Sequence, residues 1–481
     1  MFRPVPTHPD LVALEHEILG FWRERGTFAR LRAQNADGPH WSFLDGPITA
    51  NNPMGVHHAW GRTYKDLFQR FHAMLGEAER WQNGFDCQGL WVEVNVERDL
   101  GFTSKRDIEA YGIAEFVSLC KQRVLTYAAR QTEQSERLGF WMDWNDPDEL
   151  RRLRDLLAAD PAQVTTVQGP AGPVTDTVEM LIGRLGMPDL GGSYFTFSNE
   201  NNDLIWGFLA ECHRRGWINK GHDTMPWCAR CGTGISQHEM TEGYQDRDDP
   251  GLTVRLPLRD RPGESLLVWT TTPWTLTSNV AAAVGNDLAY VRVRHADGVF
   301  WLARGTLRSI LEGPVEVLEE RPGRDLVGWR YAGPFDDLAA VQAAFAKGTR
   351  AEPGTPYEHR VVAWSEVGEA EGTGIVHIAP GCGAEDFALG RDLGLPIIAP
   401  LDESGIFLDG FGALSGRDVR DVTEPIVEHL RREGRFQRLE TYRHRYPHCW
   451  RCGTALIFRL VDEWYISMGE VYDQPRETLT K

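Results

Sequence analysis

The first part of the chain alternates between apolar patterns of strand period and of helix period. These patterns predict helices over residues 10–25, 57–75 and 107–137 and strands over residues 41–44 and 79–82. We expect the second helix to bury one apolar side, formed by Leu67, Phe68, Phe71 and Leu75. Strand, loop, helix and strand in this order are typical of the start of a parallel sheet, so we predict a doubly wound α/β fold.

Two later regions differ from this beginning. Residues 147–192 contain a stretch rich in Gly and Pro at 168–173, which predicts a surface insertion with a short helix on each side. Residues 253–390 contain short apolar runs, for example at 266–269 and 290–293. These runs predict a separate β-rich domain.

Composition narrows the classes of protein that the chain can represent. The 481 residues allow two to four domains, and the net charge of −18 means that a nucleic acid would have to meet local basic patches. The first 15 residues lack the basic and apolar regions of a secretion signal, and no apolar run approaches the roughly 18 residues that span a membrane. We therefore expect a cytoplasmic protein without a membrane partner, in which cysteines stay reduced.

Two Cys-x-x-Cys pairs, each followed by Gly-Thr, stand far apart in the chain. The first pair is Cys228 and Cys231, and the second is Cys449 and Cys452. Four thiolates that meet at one point form a closed tetrahedral zinc site. A shared site would make residues 232–448 a domain that is inserted into a host and fastened at its neck. Two disulfides or two separate reduced pairs are the alternatives.

A turn with two adjacent histidines opens the second predicted helix. The N-terminus of a helix favours phosphate, and imidazoles there can donate hydrogen bonds to phosphate oxygens. The segment resembles the ATP signature of the class I aminoacyl-tRNA synthetases, which normally reads His-x-Gly-His. Here Gly55 stands where the first His is usual and His57 where the Gly is usual, while the second His is kept as His58. The resemblance implies that these three residues bind ATP and take part in catalysis, together with Lys65 as an ATP ligand.

A second segment, residues 84–93, resembles the part of the same enzymes that follows the second strand of the catalytic sheet. The resemblance implies that Asp86 pairs with the α-ammonium of an amino acid, and that Pro47 and Gln88 also contact this substrate. A carboxylate suits an ammonium because a charge-assisted hydrogen bond is strong in a dry pocket. An Asp that only closes a turn is the alternative.

Two segments of the β-rich region carry clustered polar residues. One is the Thr-rich run 269–277, and the other is the Gly-rich run 372–387. Together they resemble the two halves of the hydrolytic editing pocket of the isoleucyl, valyl and leucyl synthetases. The resemblance implies that Asp386 anchors the substrate ammonium and that the rest of the pocket is formed by Thr270, Thr271, Thr272, Thr275 and His377. A Thr-rich strand that only reflects β-propensity is the alternative.

Of the three relatives, the isoleucyl enzymes fit best, and the swapped Gly-x-His-His order resembles their eukaryotic-like type. The resemblance implies activation of isoleucine with ATP and Mg²⁺, its transfer to tRNA-Ile, hydrolysis of Val-tRNA, and Zn²⁺ on the four cysteines. It also implies the first half of a Rossmann-like catalytic domain over residues 1–225, an inserted editing domain with zinc knuckles over 226–454, and a return to the catalytic domain over 455–481. We expect a monomer.

The family's second ATP signature, Lys-Met-Ser-Lys-Ser, does not occur in the 481 residues. We therefore expect the chain to be an N-terminal portion that is inactive in aminoacylation when isolated. A freestanding aminoacyl-tRNA deacylase is one alternative. A non-catalytic zinc-ribbon protein that binds nucleic acid is another, although the acidic charge and the Asp386 segment argue against it.

Overall fold

The computed structural model describes residues 8–296, 298–347 and 357–467. Within these residues the chain forms two compact units, the first ending at Gly216 and the second beginning at Trp217. The mixed α/β class predicted from the sequence is confirmed. The domain boundaries at residues 225 and 454 stay a prediction.

The first unit is mainly helical, with short parallel strands and one antiparallel hairpin. Its helices are Leu11–Arg25, Thr27–Gln34, Val56–Met74, Leu90–Leu100, Arg106–Tyr111, Ile113–Arg137, Pro147–Ala159, Val178–Ile182 and Asn199–Arg214. Its strands are His40–Trp41, Ile48–Thr49, Ala78–Glu79, Gly84–Asp86, Val164–Gly169, Gly172–Thr177 and Tyr194–Phe195. A three-stranded parallel sheet places Gly84–Asp86 between Ile48–Thr49 and Tyr194–Phe195.

Local signals set the ends of the helices. The Asp10 carboxylate accepts a hydrogen bond from the backbone N–H of Ala13, and Gly26 ends the first helix in the left-handed region at φ 58°. The helix predicted over 107–137 is two helices, because Gly112 adopts φ 117° between them. A residue with a side chain rarely takes this conformation, so the break is specific to glycine.

The helix Val56–Met74 corrects one expectation. Its predicted buried side is exposed: Leu67 at 61%, Phe68 at 59%, Phe71 at 54% and Leu75 at 59%. The opposite side is buried, because Arg62 donates to Asn83 and the Ala73 carbonyl accepts from the side chain of Asn35 at 2.8 Å. Polar contacts, which apolar periodicity does not register, therefore decide how this helix packs.

Residues 147–192 also require a correction. The segment does place a hairpin, Val164–Gly169 with Gly172–Thr177, between two helices. However, the interior of the first unit includes Leu150, Leu153, Leu157, Leu181 and Ile182 from this segment, each at most 2% exposed. The segment is therefore part of the core and not a surface addition, because the apolar side of its first helix packs on Ile113–Arg137.

The second unit is β-rich, as predicted. Its strands are Ile218–Cys228, Thr233–Gly234, Tyr244–Pro257, Glu264–Thr270, Ala281–Val284, Ala289–His295, Gly298–Ala303, Glu316–Pro322, Arg360–Ala363, Val376–Ile378, Phe436–Pro447 and Ile457–Ile466. Its α-helices are Gln237–Thr241, Leu307–Ile310, Ala339–Lys347, Ala384–Leu393 and Thr423–Arg432. A six-stranded sheet and a three-stranded sheet share one apolar core, to which Val254, Val268, Ala282, Val361 and Ile378 contribute.

Two long strands close the neck of this unit. Ile218–Cys228 pairs antiparallel with Ile457–Ile466 over ten residue pairs, from Trp227 with Ile457 to Ile218 with Ile466. Each of these strands lies next to one Cys-x-x-Cys pair. Among the described helices, we find none that is long and apolar enough to span a membrane.

Candidate functional site

The four cysteines meet at one point. The Sγ atoms of Cys228, Cys231, Cys449 and Cys452 all lie within 4.8 Å of one another, and three of the four residues are buried. Tetrahedral zinc with Zn–S bonds of about 2.3 Å requires sulfurs about 3.8 Å apart. The Sγ atoms of Cys228 and Cys452 are 3.5 Å apart. The donor set therefore fits a zinc ion.

The two Cys-x-x-Cys turns are built alike. The backbone N–H of Gly232 donates to the Cys228 carbonyl at 2.8 Å, and that of Gly453 donates to the Cys449 carbonyl at 2.7 Å. Both glycines are in the left-handed region, at φ 60° and 77°. The Gly after each pair thus has a physical reason, since it turns the chain back over the two thiols.

The Thr-rich and Gly-rich segments enclose one cavity of about 510 Å³. The strand Glu264–Thr270 delivers the threonines at its end, and Val376–Ile378 delivers His377. The predicted site residues that line the cavity are Thr270, Thr271, Thr272, Thr275, His377 and Asp386. Residues that are more than 100 positions apart in the sequence, such as Thr275 and His377, therefore line the same cavity.

The hydrogen bonds fix which way the protons point. Thr275 Oγ1 donates to the Thr272 carbonyl at 2.8 Å, so its other contact, 3.0 Å to Nε2 of His377, must be one in which His377 donates. Burial lowers the pKa of His377 to about 4, so the ring is neutral near pH 7. Its Nδ1 is buried and has no hydrogen-bond partner within the described residues. His377 is therefore a neutral donor, poorly placed to act as a general base through Nε2.

Asp386 lies in the first turn of the helix Ala384–Leu393. One oxygen accepts a hydrogen bond from the backbone N–H of Ala379 at 2.7 Å. Burial raises the pKa of Asp386 to about 6, with a smaller contribution from Glu385. The carboxylate is thus mostly charged at pH 7 but weakly solvated, which makes it a strong partner for a cation in the cavity.

The turn with two histidines opens the helix Val56–Met74 in the first unit. The backbone N–H of Gly55 donates to Nδ1 of His58 at 3.1 Å. Neutral His58 must therefore carry its proton on Nε2. Partial burial lowers the pKa of His58, and His57 and Arg62 add to the effect. The ring centroids of His57 and His58 are 3.9 Å apart, and His57 is exposed.

The turn that precedes this helix is held by a residue that sequence reasoning missed. Asp45 is 6% exposed and forms an ion pair with Lys65, whose Nζ also donates to the Gly46 carbonyl at 3.0 Å. The other oxygen of Asp45 accepts from the backbone N–H of Gly84 at 3.0 Å. Lys65 is therefore engaged beside Pro47, and Asp45 links the turn to the central strand. The available signal was its position directly after the strand predicted over residues 41–44.

Asp86 and Gln88 lie at the end of that central strand. The Thr49 hydroxyl donates to Oδ2 of Asp86 at 2.7 Å. Gln88 is exposed, and its Nε2 donates to Oδ1 of Asn202 at 3.1 Å. The end of a parallel strand is where α/β folds bind ligands, which agrees with the predicted position of both residues. Their roles toward a substrate stay predictions.

Comparison with known proteins identifies the family of the chain. A family model described as "tRNA synthetases class I (I, L, M and V)" matches residues 17–151 and 170–481. The chain is 35% identical to an "Isoleucine--tRNA ligase" of Streptomyces coelicolor, over 98% of the chain and 40% of the relative. It is 33% identical to the protein of the same name of Pyrococcus horikoshii, over 96% of the chain and 39% of the relative.

A solved structure, the editing domain of the cytosolic leucyl-tRNA synthetase of P. knowlesi, matches with a TM-score of 0.29 and 9% identity. The match covers 42% of this chain and 99% of that structure. The chain spans about two fifths of the length of the curated relatives it matches. On the family match, which covers most of the sequence, the chain belongs to the class I tRNA synthetases of the I, L, M and V group.

Proposed function

We propose that this chain belongs to an isoleucine–tRNA ligase and that its second unit hydrolyses Val-tRNA. The observation that carries the proposal is the single cavity lined by the four threonines, His377 and Asp386. The names of the relatives in Streptomyces and Pyrococcus support isoleucine as the amino acid. We further propose tRNA-Ile, ATP and isoleucine as partners of a cytoplasmic, monomeric protein.

In the first unit, the turn at Gly55 is suited to bind the phosphates of ATP. The start of a helix of 19 residues offers unpaired N–H groups, and His58 adds its Nε2 proton. When bound, Mg²⁺ would supply further positive charge to the phosphates. Attack of the amino acid carboxylate on the α-phosphate, which breaks the bond to the β-phosphate and releases pyrophosphate, needs positioning and charge stabilisation, but no covalent catalyst. Asp86 would hold the amino acid by its ammonium.

Zinc would be held by the four cysteines at the neck of the second unit. A closed site with four thiolates has no open position for a substrate, so the ion would supply structure alone. It would fix the two chain segments that enter and leave the cavity-bearing part of the unit. The ten residue pairs of the neck strands support the same arrangement.

In the second unit, Asp386 would bind the α-ammonium of the aminoacyl ester. The hydroxyl groups of Thr270 and Thr272, 3.2 Å apart, face the same cavity and can contact the ester. Water would be the nucleophile. Because His377 is neutral and donates from Nε2, it would form a wall of the cavity. As the water oxygen bonds to the ester carbonyl carbon, the bond from that carbon to the ribose oxygen would break, and the ribose oxygen would take up the proton that the water loses.

The small difference in size between isoleucine and valine explains why a second site is needed. Valine is smaller than isoleucine by one methylene, which is worth only about 1–3 kcal/mol in a hydrophobic pocket. A synthetic pocket that fits isoleucine therefore also accepts valine at a low frequency. A second cavity that admits valine and excludes isoleucine removes the error by hydrolysis.

Hydrolysis of Val-tRNA-Ile by the purified protein tests the proposal. We expect Asp386→Ala to slow hydrolysis by about tenfold to a hundredfold, because the loss of a charge-assisted partner costs roughly 1.5–3 kcal/mol. Glu385→Ala is the matched control, since Glu385 is the exposed neighbour in the same turn. Equal rates in Asp386→Ala and the wild type, with both proteins folded, would remove the cavity from the mechanism.

A further inference from the structure

One side of the helix Ile113–Arg137 carries two glutamines that contact the chain just before the turn at Gly55. Gln131 and Gln134 are three positions apart and therefore lie on the same side of the helix. Their amides form hydrogen bonds with backbone atoms of residues 49–54. A helix of 25 residues thus supports a segment that is mostly turn and loop.

Gln134 holds both backbone polar groups of Met54. Its Oε1 accepts from the backbone N–H of Met54 at 2.7 Å, and its Nε2 donates to the Met54 carbonyl at 3.2 Å. The reversed amide would place two donors together and two acceptors together, so this pairing fixes the orientation of the side chain. Met54 is followed directly by Gly55, which caps the next helix and donates to His58. Gln134 therefore holds the residue next to the proposed phosphate site.

Gln131 holds the other end of the same segment. It is 1% exposed, and its Nε2 donates to the Thr49 carbonyl at 3.0 Å and to the Asn52 carbonyl at 2.9 Å. The hydroxyl of Thr49 donates at 2.7 Å to Asp86, the proposed partner of the substrate ammonium. Gln131 is thus connected to the amino acid site through one residue, Thr49.

We propose that Gln131 and Gln134 are positioning residues for two different substrates. Gln134 acts on ATP through Met54. Gln131 acts on the amino acid through Thr49. This inference rests on the proposed function and adds to it two residues that need not contact either substrate. A purely structural role predicts a different result, because the loss of either glutamine would then weaken the binding of both substrates alike or of neither.

The same helix offers a matched control. Gln122, like Gln134, is partly buried, but its amide donates at 3.2 Å to the hydroxyl of Ser118, one turn earlier in the same helix. Methionine replaces each glutamine, because it keeps the unbranched shape of the side chain and removes its hydrogen bonds. Gln122→Met thus makes the same chemical change as Gln131→Met and Gln134→Met without affecting residues 49–54.

Calorimetry on the purified protein, with Mg²⁺-ATP and with isoleucine, measures two dissociation constants for each variant. We expect Gln134→Met to weaken ATP binding by about three- to tenfold, the worth of its bonds to the backbone, and to change isoleucine binding by less than about twofold. Gln131→Met should show the reverse, and Gln122→Met should change neither constant. Equal effects on both ligands in each variant, or no effect in either variant, would overturn the proposal.

Hydrogen exchange at the Met54 N–H provides a measurement that needs no ligand. Because Gln134 accepts from this N–H, Gln134→Met should speed its exchange, whereas Gln122→Met should not. Unchanged exchange in Gln134→Met would show that the amide does not hold the segment, and it would overturn the proposal. If the buried Gln131→Met variant does not fold, the ATP and exchange results for Gln134→Met still decide.

The wild-type titrations separate this outcome from a failure of the proposed function. If the wild type binds both ligands and the variants lack the expected difference, only the roles of the two glutamines are wrong. If the wild type binds neither ligand, the proposed ATP and isoleucine sites fall, and the positioning roles fall with them.

Discussion

The turn at Gly55 and the cavity at Asp386 use the same residue types in different surroundings. In each, one nitrogen of a histidine is fixed by a hydrogen bond: Nδ1 of His58 accepts from Gly55, and Nε2 of His377 donates to Thr275. His58 then has a donor left for a ligand, whereas His377 has only a buried acceptor left. The ring nitrogen that is already hydrogen-bonded within the protein therefore decides whether the histidine can donate to a ligand or only forms part of the cavity wall.

The largest expected effect is a loss of zinc from the neck of the second unit. It tests whether the unit that carries the cavity depends on the four cysteines, whereas the first unit, which carries the turn at Gly55, does not. Cys228→Ser and Cys449→Ser should each remove most of the zinc, because each takes one ligand from the same closed site. The zinc content and the thermal unfolding of the second unit measure the loss. Cys212→Ser, which changes a buried thiol of the first unit, should keep the zinc. Full zinc in Cys449→Ser alone would show that the site is not shared.

A second prediction tests the donor assigned to His58. His58→Asn can keep the hydrogen bond from Gly55 but loses the Nε2 proton. We expect it to weaken ATP binding by about tenfold to a hundredfold, the cost of a hydrogen bond to a charged group. His58→Gln, whose amide reaches the position of Nε2, should lose less. Equal ATP affinity in His58→Asn and the wild type would contradict the assigned tautomer.

The pH dependence of hydrolysis sharpens the comparison from the side of the cavity. Because the pKa of Asp386 is raised to about 6, the carboxylate takes up a proton as the pH falls through 6 and loses its hold on an ammonium. Val-tRNA hydrolysis should therefore fall by about tenfold per pH unit below 6 and level off above 7. Glu385→Gln should keep the shape of this profile but shift it slightly to lower pH, because the charge of Glu385 contributes to the raised pKa of Asp386. A rate that stays flat from pH 7 to 5 would exclude Asp386 as the ammonium partner.

The raised pKa of Asp386 also means that the folded protein loses stability as the pH rises toward neutral. Between pH 3.8 and about 6 the folded state holds a proton that the unfolded state has lost, so the free energy of unfolding decreases as the pH rises through this window. Asp386→Asn removes this penalty. We expect it to raise the free energy of unfolding by about 1–3 kcal/mol above pH 6. Denaturant unfolding at pH 4 and pH 7 measures the difference, which should vanish at the lower pH.

The smallest expected effect is that of Gly55→Ala, which we compare with Gly381→Ala at a glycine five residues before Asp386. A Cβ at Gly55 would lie 3.1 Å from Cε1 of His57, an exposed ring that can turn away. A Cβ at Gly381 would lie 2.0 Å from the Ile398 carbonyl, which is backbone and cannot yield. Gly55→Ala should therefore cost less than about 1 kcal/mol of unfolding free energy, and Gly381→Ala clearly more. Similar melting temperatures for the two variants would contradict this difference.

The sequence predicted those features that local chemistry determines. The first helix begins and ends beside Asp10 and Gly26 because a side chain and a left-handed glycine act on their own turn. The cysteine pairs were found because each repeats the same knuckle. The exposed side of Val56–Met74 was not predicted, because its packing depends on Asn35 and Asn83, which no periodicity connects to it. The link from Lys65 to Asp45 was missed for the same reason.

The separation of the two Cys-x-x-Cys pairs in the sequence also determines when the four-cysteine site can form during synthesis. Cys228 and Cys452 are 224 residues apart in the sequence, yet their sulfurs lie side by side. At the usual rate of about 5–20 residues per second, a ribosome needs roughly 10–45 s to add the intervening chain. During this time Cys228 and Cys231 have been synthesised but Cys449 and Cys452 have not. The strand Ile457–Ile466, with which Ile218–Cys228 pairs, is also still to come. The emerging chain therefore passes through a state in which neither the four-cysteine site nor the pairing of the two neck strands can be complete.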